Sequence, residues 1–171
     1  MVVLPKITCL FKHLFAWRPH YLAAFNLSCL NAISRAVCAS EARHSAQICV
    51  IAEHTLPWSY LRRNAPVRQR AQMLFGKHRV WDTEAHTGVL IYINFVERSV
   101  ELVADRALSR SVPQAQWDEW AAALQKAYAA KQFEAGTVRV IQSMGLIFER
   151  VAPKIGEQPT ENTLADDPLR L

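Results

Sequence analysis

The stretch from Gly88 to Phe95 is apolar on both of its faces. Val89, Ile91, Ile93 and Phe95 alternate one way, Leu90 and Tyr92 the other. A strand with two apolar faces must be covered above and below, so it belongs inside a sheet with helices on each side. Glu97-Arg98-Ser99 is a short polar reversal, and Val100 to Ala104 then reads as an antiparallel neighbour. Ile48 to Ala52 is a second apolar run rich in β-branched residues, again a buried strand.

Helical spacing fills the remaining chain. Leu22, Phe25, Leu30, Ile33 and Val37 predict one helix over residues 20–39. A loop marked by Pro57 is expected from His54 to Tyr60. Asn64 as cap, Pro66 in the first turn and Gly76 as terminator frame a helix with Val67, Ala71, Leu74 and Phe75 on its stripe. Ser111 to Gln114 has the form of a capping box before a helix carrying Trp117, Trp120, Ala121, Leu124 and Tyr128. A last helix from about Phe133 presents Val140, Ile141, Met144, Ile147, Phe148 and Val151, and Gly136 and Gly145 let it approach its neighbours closely. The order is αβαββαα, a layered α/β/α sandwich around a small mixed sheet.

Length and composition suit one domain. The chain has 171 residues, half of them apolar, with five Trp and seven Phe. Residues 1–19 form an N-terminal segment with surface association as one reading, residues 20–153 the domain, and residues 154–171 an acidic tail expected to be disordered. No run approaches the ~20 apolar residues that span a bilayer. Cys9, Cys29, Cys38 and Cys49 show no metal-binding spacing and read as free thiols of a reducing, cytoplasmic setting. The net charge of +5 is concentrated in residues 1–40 and 61–80, where no acid occurs. Such blocks suit anionic lipid or nucleic acid, or a solvated helix face; nucleic acid is not the expected partner. No glycine-rich phosphate loop or nucleophile elbow is present in the sequence. The Trp117–Trp120 pair reads as core and not as a base-stacking platform.

The helix between the first two strands makes a crossover, so those strands are expected to run parallel. Acids distant in sequence then meet at one sheet end. Glu41 and His44 precede strand one, Asp82, Glu84 and His86 precede strand two, and Asp105 and Arg106 follow strand three. Three readings stand for this cluster. It could hold calcium or magnesium through hard oxygen ligands, support metal-assisted phosphate-ester hydrolysis, or serve structure through turn caps, an Asp105 pair with Arg106 or Arg110, and a loop carbonyl held by His44.

Four strings, Glu41 to Ser45, Arg79 to Glu84, Gly88 to Tyr92 and Val103 to Arg106, resemble the TPM domain, in particular its short stand-alone bacterial members. The resemblance covers residues 41–153. It implies a TPM-like sandwich and a divalent-cation site, with Asp82, Glu84 and Asp105 as first candidates and Glu41, His44 and His86 as further ones. It also implies a non-enzymatic role in membrane-protein maintenance or assembly, peripheral to a membrane. The implied partners are a LemA-like membrane protein and a longer, membrane-anchored TPM protein. The rival it carries is a metal-dependent acid phosphatase. The chain departs from the pattern at His86-Thr87, where longer members place two Asn, at Gln47, where short members often have Glu, and at Arg150 to Pro153, where a His-Phe-Pro close is usual.

Overall fold

The computed structural model describes residues 18–154, 164 and 166–171. Its sheet has the order β3 (Ser99–Ala104), β2 (Gly88–Asn94), β1 (Gln47–Glu53), β4 (Leu169–Arg170). Strand β1 pairs in parallel with β2, and β2 pairs antiparallel with β3. The two-residue β4 lies parallel to β1 on its outer edge. The double apolar patterning thus yields the expected central pair, every residue of β1 and β2 being buried.

Alternation sorts each strand between two cores. Ile48, Val50, Ala52, Val89, Ile91 and Ile93 face α1 (Arg18–Ala24), α2 (Leu27–Glu41), α6 (Gln114–Ala129) and α7 (Phe133–Val151). Cys49, Ile51, Leu90, Tyr92 and Val103 meet α4 (Val67–Lys77), Val80 and Leu164 on the other face. Two short helices, α3 (Trp58–Arg63) and α5 (Arg106–Ser111), complete the element order among the described residues. Trp117 and Trp120 are buried in the thicker layer, where their rings meet edge to face at 5.1 Å and the Trp120 indole donates to Ser143 at 3.0 Å.

Local chemistry moves several boundaries. The single helix expected over residues 20–39 is two, because the Asn26 side chain accepts from the Cys29 N–H at 2.9 Å and starts a new helix. The Pro57 loop gives way at Trp58 to α3. Asn64 ends that helix in the left-handed region (φ 51°) and does not cap the next one, which starts after Pro66. Gly76 lies inside α4, and His78 closes it. No capping box forms at Ser111: it ends α5, and Pro113 precedes α6 without a side-chain cap. Of the tail, residues 164 and 166–171 lie against the domain. Leu164 is buried, and Leu169–Arg170 take up the free hydrogen bonds of β1. The expected N-terminal segment lies outside the described residues except for Arg18 and Pro19, at the start of α1.

Two close approaches require glycine. A Cβ on Gly88 would collide with the Val80 carbonyl, so only glycine lets β2 begin directly beneath the loop before it. Gly136 likewise admits the Ala127 methyl and lets α6 and α7 pack together.

Candidate functional site

At one end of the parallel pair, Gln47 stands opposite Gly88, and Val89 opposite the last residue of β3, Ala104. This leading end therefore gathers the three connections that the sequence assigns to it. The side chains divide into two groups. In the first, Asp105 caps α5, one carboxylate oxygen accepting from the Arg106 N–H at 2.7 Å. Its other oxygen, Oδ2, is buried without a hydrogen-bond partner; His86 Nδ1 stands 3.4 Å away. The Arg106 guanidinium reaches to 3.5 Å from His86 Nε2. Asp82 is tied to Arg79 at 2.7 Å in an exposed pair, and Glu84 is exposed.

The His86-Thr87 departure has a local account. His86 sits at φ 54°, a left-handed conformation that Asn adopts readily. Thr87 is buried, its hydroxyl donating to the Ser45 carbonyl at 3.0 Å and its N–H bonding Thr83 Oγ1 at 2.9 Å. Both hydrogen bonds serve the loop's own structure.

The second group surrounds a cavity of about 190 Å³ lined by Cys38, Glu41, His44, Gln47, Lys154 and Asp166. Glu41 accepts from the Ile48 N–H at 2.6 Å. Burial, with a smaller push from Asp166, raises its carboxyl to about 7. His44 Nδ1 lies 3.1 Å from the Ala46 carbonyl, an acceptor only, so this nitrogen carries the proton. Its Nε2 accepts from the Ser40 hydroxyl at 2.8 Å, its ring meets Phe148 edge-on, and burial pushes its titration down to about 4. His44 is thus neutral near pH 7 with both nitrogens engaged. Gln47 is buried as well, its side-chain oxygen accepting from the Leu164 N–H at 3.1 Å.

Calcium or magnesium would require six or more oxygen ligands around one point. Among the described residues no three His, Cys, Asp or Glu side chains are placed to hold one ion. Asp105 Oδ2 is the only buried carboxylate oxygen of the first group left without a hydrogen bond, and its near neighbour is an imidazole flanked by a guanidinium. These residues do not fit a side-chain cage for a hard cation, and no step of phosphate chemistry follows from them.

Sequence reasoning missed the polar cluster at the opposite, trailing end of β1 and β2. Glu53 is buried and forms a two-pronged pair with Arg70, the guanidinium Nε donating to Oε2 at 3.0 Å and an Nη2 donating to Oε1. The Tyr92 hydroxyl donates to the same carboxylate at 2.5 Å and accepts from the Asn94 amide at 3.1 Å. Asn94, fully buried, accepts from the Glu97 N–H at 3.0 Å and so shapes the β2–β3 turn. Burial, followed by the Glu53 charge, pushes the Tyr92 phenol far up. The signals were present: Glu53 closes an apolar strand, and Arg70 lies on the Val67–Leu74 stripe of α4.

The basic block at residues 61–80 is largely engaged within the chain. Arg70 pairs with Glu53, and Arg68 pairs with Glu101 at 3.3 Å and donates to the Leu102 carbonyl at 2.5 Å. Arg79 holds Asp82, and Arg63 donates to the Ser59 carbonyl and lies over the Tyr60 ring. Four of the six basic side chains thus have partners of their own.

A family model of the TPM domain matches residues 23–146. No curated protein matches the chain. Among solved structures, the NMR structure of the BA42 protein from the psychrophilic bacterium Bizionia argentinensis is similar, with a TM-score of 0.72 and 23% identity over 84% of this chain and 92% of that one. That likeness establishes the shared TPM-like sandwich.

Proposed function

The chain belongs to the TPM domain family, and from that premise we propose that it works as a non-enzymatic binding module in the maintenance or assembly of a membrane protein. The observation that carries this reading is how the acids of the leading end are used. Asp105 starts a helix, Asp82 holds Arg79 and Glu41 receives the first amide of the β1 interior, so each already has a task in the fold. A single sheet covered by helices on both faces, with these acids used in its own structure, suits presentation of a surface better than turnover of a substrate.

No described helix is long and apolar enough to cross a membrane. In this reading the membrane-spanning parts belong to the partners, a LemA-like protein and a longer, anchored TPM protein. The protein would work at the cytoplasmic face. Affinity capture from detergent-solubilised membranes of the native organism tests this directly. Recovery of such membrane proteins in stoichiometric amount is expected; recovery of soluble proteins alone would overturn the reading.

A second reading, weak binding of a divalent cation at one carboxylate with water and not side chains completing its shell, rests on the buried Oδ2 of Asp105, which accepts no hydrogen bond. Calcium or magnesium titration followed by NMR would then shift Asp105 and His86 before any other residues. The rival, a metal-dependent phosphatase, requires activity that Asp82→Asn and Asp105→Asn each abolish. Equal activity in both variants and the parent would remove it.

A further inference from the structure

The sheet has two edges, and the chain protects them differently. At β3 the outward carbonyls are covered by side chains: Arg68 donates to the Leu102 carbonyl at 2.5 Å, and the Ser109 hydroxyl to the Ala104 carbonyl at 3.0 Å. A charged side chain across an edge strand is a device against pairing with another chain. At β1 the protection is itself a strand. Ile51 stands opposite Leu169 and Ala52 opposite Arg170. The Leu171 N–H bonds the Ala52 carbonyl at 2.8 Å, and the His54 N–H bonds the Leu171 carbonyl at 3.0 Å.

The hold on this strand is light in apolar area and specific in polar contacts. Leu164 is the one buried apolar side chain among residues 164 and 166–171; Leu169 is half-buried and Arg170 exposed. Around them, Arg170 donates to the Phe25 carbonyl at 3.1 Å and the Tyr21 hydroxyl reaches the Leu171 carbonyl at 3.1 Å. The Ser34 hydroxyl donates to Asp167 at 2.9 Å, and the Cys38 thiol to Asp166 at 3.1 Å. The Leu164 N–H also donates to the buried Gln47 side chain at 3.1 Å. An element that buries a single leucine, however well hydrogen-bonded, opens at lower cost than the core strands beneath it. Lifting it bares the backbone of a strand that is otherwise wholly buried, a ready template for strand addition.

We propose that the outer edge of β1 is an interaction surface for an extended segment of a partner protein, and that residues 166–171, anchored by Leu164, are its built-in, displaceable occupant. The occupant displays the chemistry that the edge selects: an acidic pair over α2, then apolar, basic and apolar residues in extended conformation, the basic one on the carbonyl end of α1. A partner segment of that pattern would take the same backbone bonds. The inference rests on the binding-module reading and names the surface that such a module would use.

The test uses the full chain and a fluorescent peptide with the sequence of residues 164–171. In Leu164→Asp/Arg170→Ala the resident strand is weakened while the edge itself is untouched. This variant is expected to bind the peptide about tenfold or more tightly than the parent, because the parent's own segment competes at high effective concentration. NMR of the variant should place the shifts at Ile51 to His54, and a scrambled peptide should produce none. Equal affinity for parent and variant, or no binding by a variant whose circular dichroism is native, would overturn the proposal. So would a dimer of the parent that the same substitutions dissolve, since the edge would then serve a second copy. Failure here with membrane partners still captured would refute the surface and leave the module reading standing.

Discussion

The two ends of one small sheet treat charge in opposite ways. At the leading end six candidate side chains come together by topology, yet they divide into a loop group and a cavity group, most of them bonded to nearby backbone or to one another. At the trailing end Glu53 and Arg70 are buried face to face, with Tyr92 and Asn94 completing their bonds. Acid content alone does not mark the end where charge matters most to the molecule. Desolvation sorts them: the exposed Asp82–Arg79 pair is cheap and replaceable, the buried Glu53 carboxylate is tolerated only with partners, and the half-buried Glu41 and buried His44 of the cavity group are pushed toward their neutral forms.

That contrast is sharpest under mutation. Truncating one member of the trailing pair, as in Glu53→Ala or Arg70→Ala, strands its partner and is expected to cost about 3–5 kcal/mol in urea unfolding. Replacing both with methionine should recover much of that loss. If either single variant unfolds within about 1 kcal/mol of the parent, the buried pair does not distinguish the two ends.

A smaller effect, of opposite signs, is expected from the cavity group. Glu41 titrates near 7 in the fold, above its ordinary 4.5, chiefly through burial. It therefore favours the folded state at low pH and loses that contribution as pH rises from 4.5 to 7. His44 titrates near 4, below its ordinary 6.5, again chiefly through burial. It favours the folded state above 6.5 and loses that contribution as pH falls toward 4. The two offset each other across most of this window. In Glu41→Gln only the histidine contribution remains, so acidification from pH 6.5 to 4 should destabilise the variant relative to the parent by up to about 3 kcal/mol. Parallel stability profiles for the two proteins would show that these groups do not oppose each other.

The loop group should respond least. Asp105→Ala removes a helix cap and is expected to cost about 1 kcal/mol. Asp82→Ala breaks an exposed pair and should cost less than about 1 kcal/mol. Thermal unfolding of both variants in low and high salt checks the order. A larger loss for Asp82 than for Asp105 would reverse the account of this end.

Much of the fold was legible because apolar periodicity reports burial directly. The two-faced stretch at Gly88 to Phe95 could only be central, and the antiparallel hairpin and crossover helix followed from short-range turns and the handedness of connections. Helix limits were less legible. Asn64 and Ser111 read as caps in sequence yet neither caps the helix that follows, whereas Asn26, within a stretch read as one helix, does; which residue caps depends on the backbone angles that packing imposes. The candidate site was legible as a neighbourhood, since strand order alone brings Glu41, Asp82 and Asp105 to one end. Side-chain convergence was not, because it depends on which nearby amide or guanidinium each carboxylate meets first.

By itself the sequence determined the alternation of apolar faces, the core of the element order, in which α3, α5 and β4 were not foreseen, and the family, since these rest on local patterns and on short strings of residues. Tertiary structure alone decided the partnering of charge: that Arg70 turns inward to Glu53, that His44 is held neutral between Ser40 and Ala46, and that the last residues return to cover β1. The first and third depend on distances between segments apart in the chain; the second is a local turn that becomes decisive because Phe148, from a remote helix, packs on it and buries it. Burial makes those distances decisive, because a polar group removed from water must find its partner wherever the fold has brought one.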